Sequence, residues 1–177
     1  NPISPYAASK KSGELICHTY HHLYNISIAC LRFFTVYGPR QRPDLAIRKF
    51  TSLIMNDMEV PVYGDGSTER DYTFIKDIID GVVKAIDWVD FEPARYGIFN
   101  LGESRTISIL KMIETIEKVT GKKARIKNLP MQPGDVNRTF ADVTKAKKEL
   151  GYNPTTEFEE GIRVFVDWMR RSGGVDL

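Results

Sequence analysis

PYAASKKSGELICHTYHHLYNISIACLRFF (residues 5–34) reads as a helix that runs into a strand, and that reading decides the fold. Pro5 suits a first helical position, where its missing N–H would be unpaired anyway. Ser4 stands where a cap is wanted. Leu15, Ile16, Thr19, Tyr20 and Leu23 recur at helical spacing, so a helix is expected over 6–24, ended by Asn25. Ile26 to Phe34 is a nearly continuous apolar run, as in a strand covered on both faces of a parallel sheet. A helix followed by such a strand is half of a βαβ unit, and the expected class is α/β. Within the helix, Tyr6 and Lys10 share a face one turn apart. A phenol has an unperturbed pKa of about 10, and a neighbouring ammonium favours the phenolate. The pair is a candidate general base, although the spacing alone is a weak motif.

Ligands of parallel sheets bind beyond the carboxyl ends of the strands. Thr35, Val36, Tyr37 and Gly38 are expected there, followed by the Gly- and Pro-containing loop GPRQRPD with its two arginines. Further on, the pattern predicts a helix over 46–57, strands over 60–63 and 72–75, and a turn at GDGS between them. The helix predicted over 77–89 carries Ile78, Ile79, Val82, Val83, Ile86 and Val89 on one side, with Asp77 placed to cap it or to interact with its dipole. A buried strand is expected at 96–101, where Asn100 is a structural amide. A helix follows, starting at Thr106 or Ser108 and stopping at Gly121. Strand 123–129, loop MQPGD, and helices 143–150 and 158–171 complete the reading, with Asp142 as a cap.

The bulk properties exclude several classes. A net charge of +2 and the lack of any long basic run give no argument for nucleic acid. Lys145, Lys147 and Lys148 read as a solvated helix face. No apolar run approaches the roughly 20 residues that span a bilayer. Cys17 and Cys30 are isolated and read as buried free thiols. His18 and His22 have metal-like spacing without an acidic partner, so the histidines read as surface or packing residues and no metal is expected.

Four blocks in order resemble the extended short-chain dehydrogenase/reductase family: SPYAASKKSGE (4–14), LRFFTVYGPRQRPD (31–44), VYGDGSTERDYTFIKD (62–77) and NLPMQPGD (128–135). The pattern is most similar to nucleotide-sugar 4-epimerases, and among them to UDP-glucuronate 4-epimerases. The resemblance implies the C-terminal part of a Rossmann-type parallel sheet plus a smaller α/β substrate-binding domain. Residues 1–34, with strand 96–101 returning to them, would end the NAD-binding domain, and most of 35–177 would bind the UDP-sugar. The glycine-rich turn that holds the cofactor pyrophosphate is absent, and the chain begins inside a motif without methionine. The expectation is therefore a C-terminal portion of a longer enzyme, inactive alone.

The resemblance also assigns roles. Tyr6 is the base and Lys10 holds the nicotinamide ribose of NAD, with Phe33 beside the nicotinamide end. Thr35 meets the sugar nucleotide and Arg42 a sugar carboxylate, unless it only pairs with Asp44. Arg70 grips the pyrophosphate, Val62 and Tyr63 line the uracil, and Asp135, with Gln132 nearby, accepts from the ribose hydroxyls. A cytoplasmic homodimer is implied. The alternatives are a 4-epimerase of UDP-glucose or UDP-N-acetylglucosamine, a related dehydratase or decarboxylase, or a non-catalytic nucleotide-binding module.

Overall fold

The computed structural model describes residues 1–131 and 137–172 of the chain. In chain order the elements are α1 (Pro5–Tyr24), β1 (Ile28–Phe33), β2 (Thr35–Tyr37), α2 (Ala46–Met55), β3 (Glu59–Tyr63), β4 (Glu69–Arg70), β5 (Tyr72–Phe74), α3 (Ile75–Phe91), β6 (Tyr96–Leu101), β7 (Ile107–Ser108), α4 (Ile109–Thr120), β8 (Arg125–Leu129), α5 (Thr144–Leu150) and α6 (Phe158–Arg171). The class is α/β. β1 lies parallel to β6, with Ile28 opposite Tyr96 and Phe33 opposite Leu101. β2 is parallel to β5 and β3 to β8, whereas β4 and β7 form a short antiparallel pair.

The helix ends follow local chemistry. Ser4 Oγ accepts from the N–H of Ala7 at 3.1 Å, and Asn25 closes α1 in the left-handed region. Ser108 caps α4 in the same way as Ser4, and Gly121 ends it at φ 76°. No helix of the described residues is long and apolar enough to cross a membrane.

Two apolar cores result. One gathers Tyr37, Ile47, Ile54, Val60, Met112, Ile116, Ile162, Phe165 and Met169 between α2, α4, α6 and strands β2, β3 and β5. The other gathers Ile78, Trp88, Phe99, Leu101, Ala146 and Tyr152 where α3 and α5 pack on β6. Gly161 lets α6 approach β2: a Cβ there would lie 2.1 Å from the Tyr37 hydroxyl oxygen.

Three expectations are corrected. The strand after α1 is not covered on both faces, and Phe33 at its end is 52% exposed. Val82 and Val89 lie against the second core, but Ile79, Val83 and Ile86 of α3 are exposed. The helix buries Asp77, Ile78, Gly81, Ala85 and Trp88 instead. At Gly81 a Cβ would already meet Leu101 and Tyr152 at 2.9 Å, so close packing selects small residues on the inner face. Asp77 lies in the first turn of α3 but is not its cap residue. Its buried carboxylate accepts from the N–H groups of Thr155 (3.3 Å) and Thr156 (3.2 Å), fastening the lead into α6.

Other readings survive. Asn100 donates its side-chain amide to the carbonyl of Asp142 at 2.9 Å, whereas Asp142, which accepts from the Thr144 N–H at 3.0 Å, stands one residue before Val143, the cap residue of α5. The rings of His18 and His21 pack on Tyr96, with centroids 5.0 and 5.5 Å away. Cys17 and Cys30 are free and partly buried, and burial pushes the Cys30 thiol up.

Candidate active site

The end of β1 and the first turns of α1 enclose a cavity of about 590 Å³ lined by Tyr6, Lys10, Glu14, Arg32 and Phe33, among others. Lys10 Nζ lies 5.4 Å from the centre of the Tyr6 ring. The helix puts both side chains on the cavity wall because residues four apart stack along one face. Tyr6 is 72% exposed, so its hydroxyl is open to a ligand. Polar contacts of Glu14 help to seat the helix. Glu14 accepts a fork from Arg32 of β1, with Nη2 at 2.7 Å, and its carbonyl accepts from the Tyr96 hydroxyl at 3.1 Å. The Arg32 guanidinium holds the Glu14 carboxyl well down, at about 2.

Thr35 opens β2, directly after the strand that ends in Phe33, and its N–H donates to the carbonyl of Asp71 at 3.1 Å. The 38–45 loop folds beside it. Gln41 is buried, donates Nε2 to the Val36 carbonyl at 2.9 Å, and accepts from the N–H of Arg48 at 3.2 Å. Arg42 lines a shallow cavity of about 230 Å³ with Val36, Tyr37, Gly38, Arg40 and Ile75. Its exposed guanidinium forks onto Asp44 at 3.1 and 2.8 Å, which holds the Asp44 carboxyl below its usual range.

Val62 is buried in the first core, so its side chain faces inward, whereas Tyr63 is partly exposed at the end of β3. The turn that follows has Gly64 and Gly66 at φ 69° and 75°, which requires glycine-like freedom. Arg70, half-buried in β4, donates to the carbonyl of Glu69 at 3.0 Å. Gln132 and Asp135 lie outside the described residues. The structure thus joins Tyr6, Lys10 and Phe33 in one cavity. Thr35 and Arg70 are drawn together through their shared neighbour, Asp71.

Two carboxylates escaped the sequence reading. Asp71 is fully buried. Glu103, at the end of β6, has a side chain only 10% exposed. Its Oε2 has no hydrogen-bond partner, and Arg105 Nε stands 4.0 Å from its other oxygen. Burial, reinforced by the charge of Asp77, raises the Glu103 carboxyl to about 7. Burial likewise pushes the hydroxyls of Tyr37 and Tyr152 up. The only signal for Asp71 or Glu103 was an acidic residue set beside a strand.

Comparison with known proteins gives the class of this fold: a nucleotide-sugar enzyme family. Residues 1–165 match the family model described as GDP-mannose 4,6 dehydratase. The chain belongs to that family, a branch of the extended short-chain dehydrogenases/reductases. It is 51% identical over 167 residues to an uncharacterized protein of Methanocaldococcus jannaschii, covering 94% of this chain and 50% of that one. It is 42% identical over 172 residues to a UDP-glucuronate 4-epimerase of Thermodesulfobacterium geofontis, covering 97% and 52%. The crystal structure of UDP-glucuronic acid 4-epimerase from Bacillus cereus in complex with UDP-glucuronic acid and NAD superposes with a TM-score of 0.89 at 38% identity, covering 97% of this chain and 54% of that chain. The chain therefore spans about half the length of the proteins it matches.

Proposed function

We propose that these residues form the catalytic and sugar-nucleotide-binding portion of an NAD-dependent UDP-sugar 4-epimerase acting on UDP-glucuronate and UDP-galacturonate. The observation that carries the reading is the cavity shared by Tyr6, Lys10 and Phe33. A carbinol C–H is not acidic, so inverting C4 requires transient oxidation to the ketone. Bound NAD would supply the hydride acceptor. Tyr6 and Lys10 fit its nicotinamide–ribose end, because an open phenol and an ammonium border one cavity wall.

Tyr6 takes the proton from the C4 hydroxyl and returns it after reduction, while Lys10, 5.4 Å from its ring, holds the nicotinamide ribose. Arg70 meets the pyrophosphate, Tyr63 and the backbone at Val62 the uracil, and Thr35 the sugar. Gln132 and Asp135 are assigned to the ribose by family likeness alone. Domain roles follow: α1, β1 and β6 belong to the NAD side, and the first core belongs to the UDP-sugar side. The exposed apolar stripe of α1 supports a homodimer in the complete enzyme.

Arg42 supports the uronate among the possible sugars. Its fork already holds a carboxylate, that of Asp44, in bidentate geometry. Exposed ion pairs contribute little, so a substrate carboxylate can replace Asp44 at small cost. A neutral hexose offers no such partner. The test uses the product of the whole reading frame, supplied with NAD. UDP-glucuronate should give UDP-galacturonate, whereas these 177 residues alone should give no turnover, lacking a glycine-rich pyrophosphate turn. Arg42→Ala should lower kcat/KM for UDP-glucuronate by roughly 10- to 100-fold more than for UDP-glucose. Equal losses on both sugars would assign Arg42 to pyrophosphate, and no interconversion of any UDP-sugar would discard the epimerase.

A further inference from the structure

A fully buried carboxylate must find hydrogen bonds or a counter-charge, because desolvating an unpaired charge is expensive. Asp71, between β4 and β5, meets that demand with four donors. Oδ1 accepts from the Glu103 N–H at 2.8 Å and from Thr73 Oγ1 at 3.1 Å. Oδ2 accepts from the Ser104 N–H at 3.0 Å and the Ala141 N–H at 3.1 Å. Its main chain is equally engaged. The carbonyl accepts from the Thr35 N–H at 3.1 Å, and the N–H donates to Thr139 Oγ1 at 3.3 Å.

Four segments distant in sequence therefore meet at one residue: the start of β2, the strand carrying Arg70, the turn after β6, and residues 139–141. Glu69 extends the join. Its N–H donates to the Asn137 carbonyl at 2.9 Å, its own carbonyl accepts from Thr139 at 3.2 Å, and its carboxylate pairs with Arg138 at 3.2 Å. The approach is tight enough to require glycine at 102, where a Cβ would lie 2.3 Å from the Ala141 Cβ and 3.1 Å from Asp71 Oδ2.

We propose that Asp71 is a positioning residue for the sugar-nucleotide site. Its buried carboxylate ties the 103–104 turn and residue 141 to the strand that presents Arg70 and Thr35. The proposal rests on the UDP-sugar reading of that site. Asp71 touches no substrate in this role. It acts by fixing where the Arg70 fork and the Thr35 backbone stand, and a fork loses its matched geometry when its strand shifts.

Asp77 provides a control on the same fold. It too is a buried carboxylate accepting from backbone N–H groups, at Thr155 and Thr156, but it ties α3 to the lead of α6. The experiment is calorimetric titration of UDP into the full-length protein and its Asp71→Asn and Asp77→Asn variants. It is run at a temperature where all three are folded. Both variants should lower the melting temperature. Only Asp71→Asn should weaken UDP binding, by about 10-fold, the size of one misplaced charged hydrogen bond. If Asp71→Asn does not fold, Thr139→Val removes one arm of the join and should weaken UDP about 3-fold. Unchanged UDP affinity in Asp71→Asn or its substitute, or an equal loss in Asp77→Asn, would overturn the role. A wild-type protein that does not bind UDP would instead overturn the site reading itself, and with it the role.

Discussion

The first core and α1 are built from similar residues and end in opposite states. Around α2, α4 and α6 the stripes close on one another, and Ile54, Ile116, Phe165 and Met169 have no exposed surface. α1 carries a stripe of comparable size in Leu15, Ile16, Tyr20 and Leu23, yet each is more than half exposed and no residue of the helix is buried. Periodicity reveals that a helix has an apolar face, but not which body covers it. The closed region holds itself together. The open region carries the candidate base and requires something more to shield its stripe.

Stability should separate the two regions most sharply. Phe165→Ala opens a cavity in the closed core and should cost about 3–5 kcal/mol. Leu23→Ala on the open stripe of α1 should change stability by no more than about 0.5 kcal/mol. Denaturant unfolding of both variants measures the contrast. Similar losses would break the comparison and mean that α1 is covered in solution.

Function should invert that ranking. Tyr6 is the most exposed aromatic of the candidate site, so Tyr6→Phe should leave the unfolding midpoint where it was. In the proposed epimerase the same change should lower kcat by roughly 100-fold or more with UDP-sugar affinity kept, since it removes only the proton acceptor. Turnover near the wild-type rate would remove Tyr6 from the mechanism, whatever the cavity around it suggests.

What could be read from the sequence follows the same division. Helix ends were legible because the chemistry is local: Ser4, Asn25, Ser108 and Gly121 each act within a few residues of where they stand. The Tyr6–Lys10 pair was legible because helical spacing alone places it. The buried side of α3 was not, since Gly81 and Ala85 face inward for want of room while the larger Ile79, Val83 and Ile86 stay outside. Asp71 was also hidden. Its four donors come from residues 2 to 70 positions away, and nothing in ERDYTF distinguishes a buried acceptor from a surface charge. The Arg42–Asp44 pair was read as the competing option and does form, because two residues is a short reach.

The smallest expected effect lies at the junction of the two cores, where Glu103 faces groups from every side. Asp71 donates no proton to it and carries its own charge, Asp77 of α3 and Glu157 at the lead of α6 add theirs, and Arg105 alone opposes them. The folded carboxyl titrates at about 7, above its ordinary 4.5, so between those values the folded state binds a proton that the unfolded state has released. Stability from this group is fully present below pH 4.5 and lost as pH rises through 7. The protein should therefore be weaker at pH 8 than at pH 5 by about 1–2 kcal/mol from this site, after allowance for solvent screening. Glu103→Gln keeps the shape and removes the titration, so its stability should vary less with pH across the same range. The comparison rests on the slopes and not on the absolute values, since the amide introduces donors of its own. Parallel pH profiles for the two proteins would show that Glu103 is charged at neutral pH, and that the junction tolerates a third carboxylate beside Asp71 and Asp77.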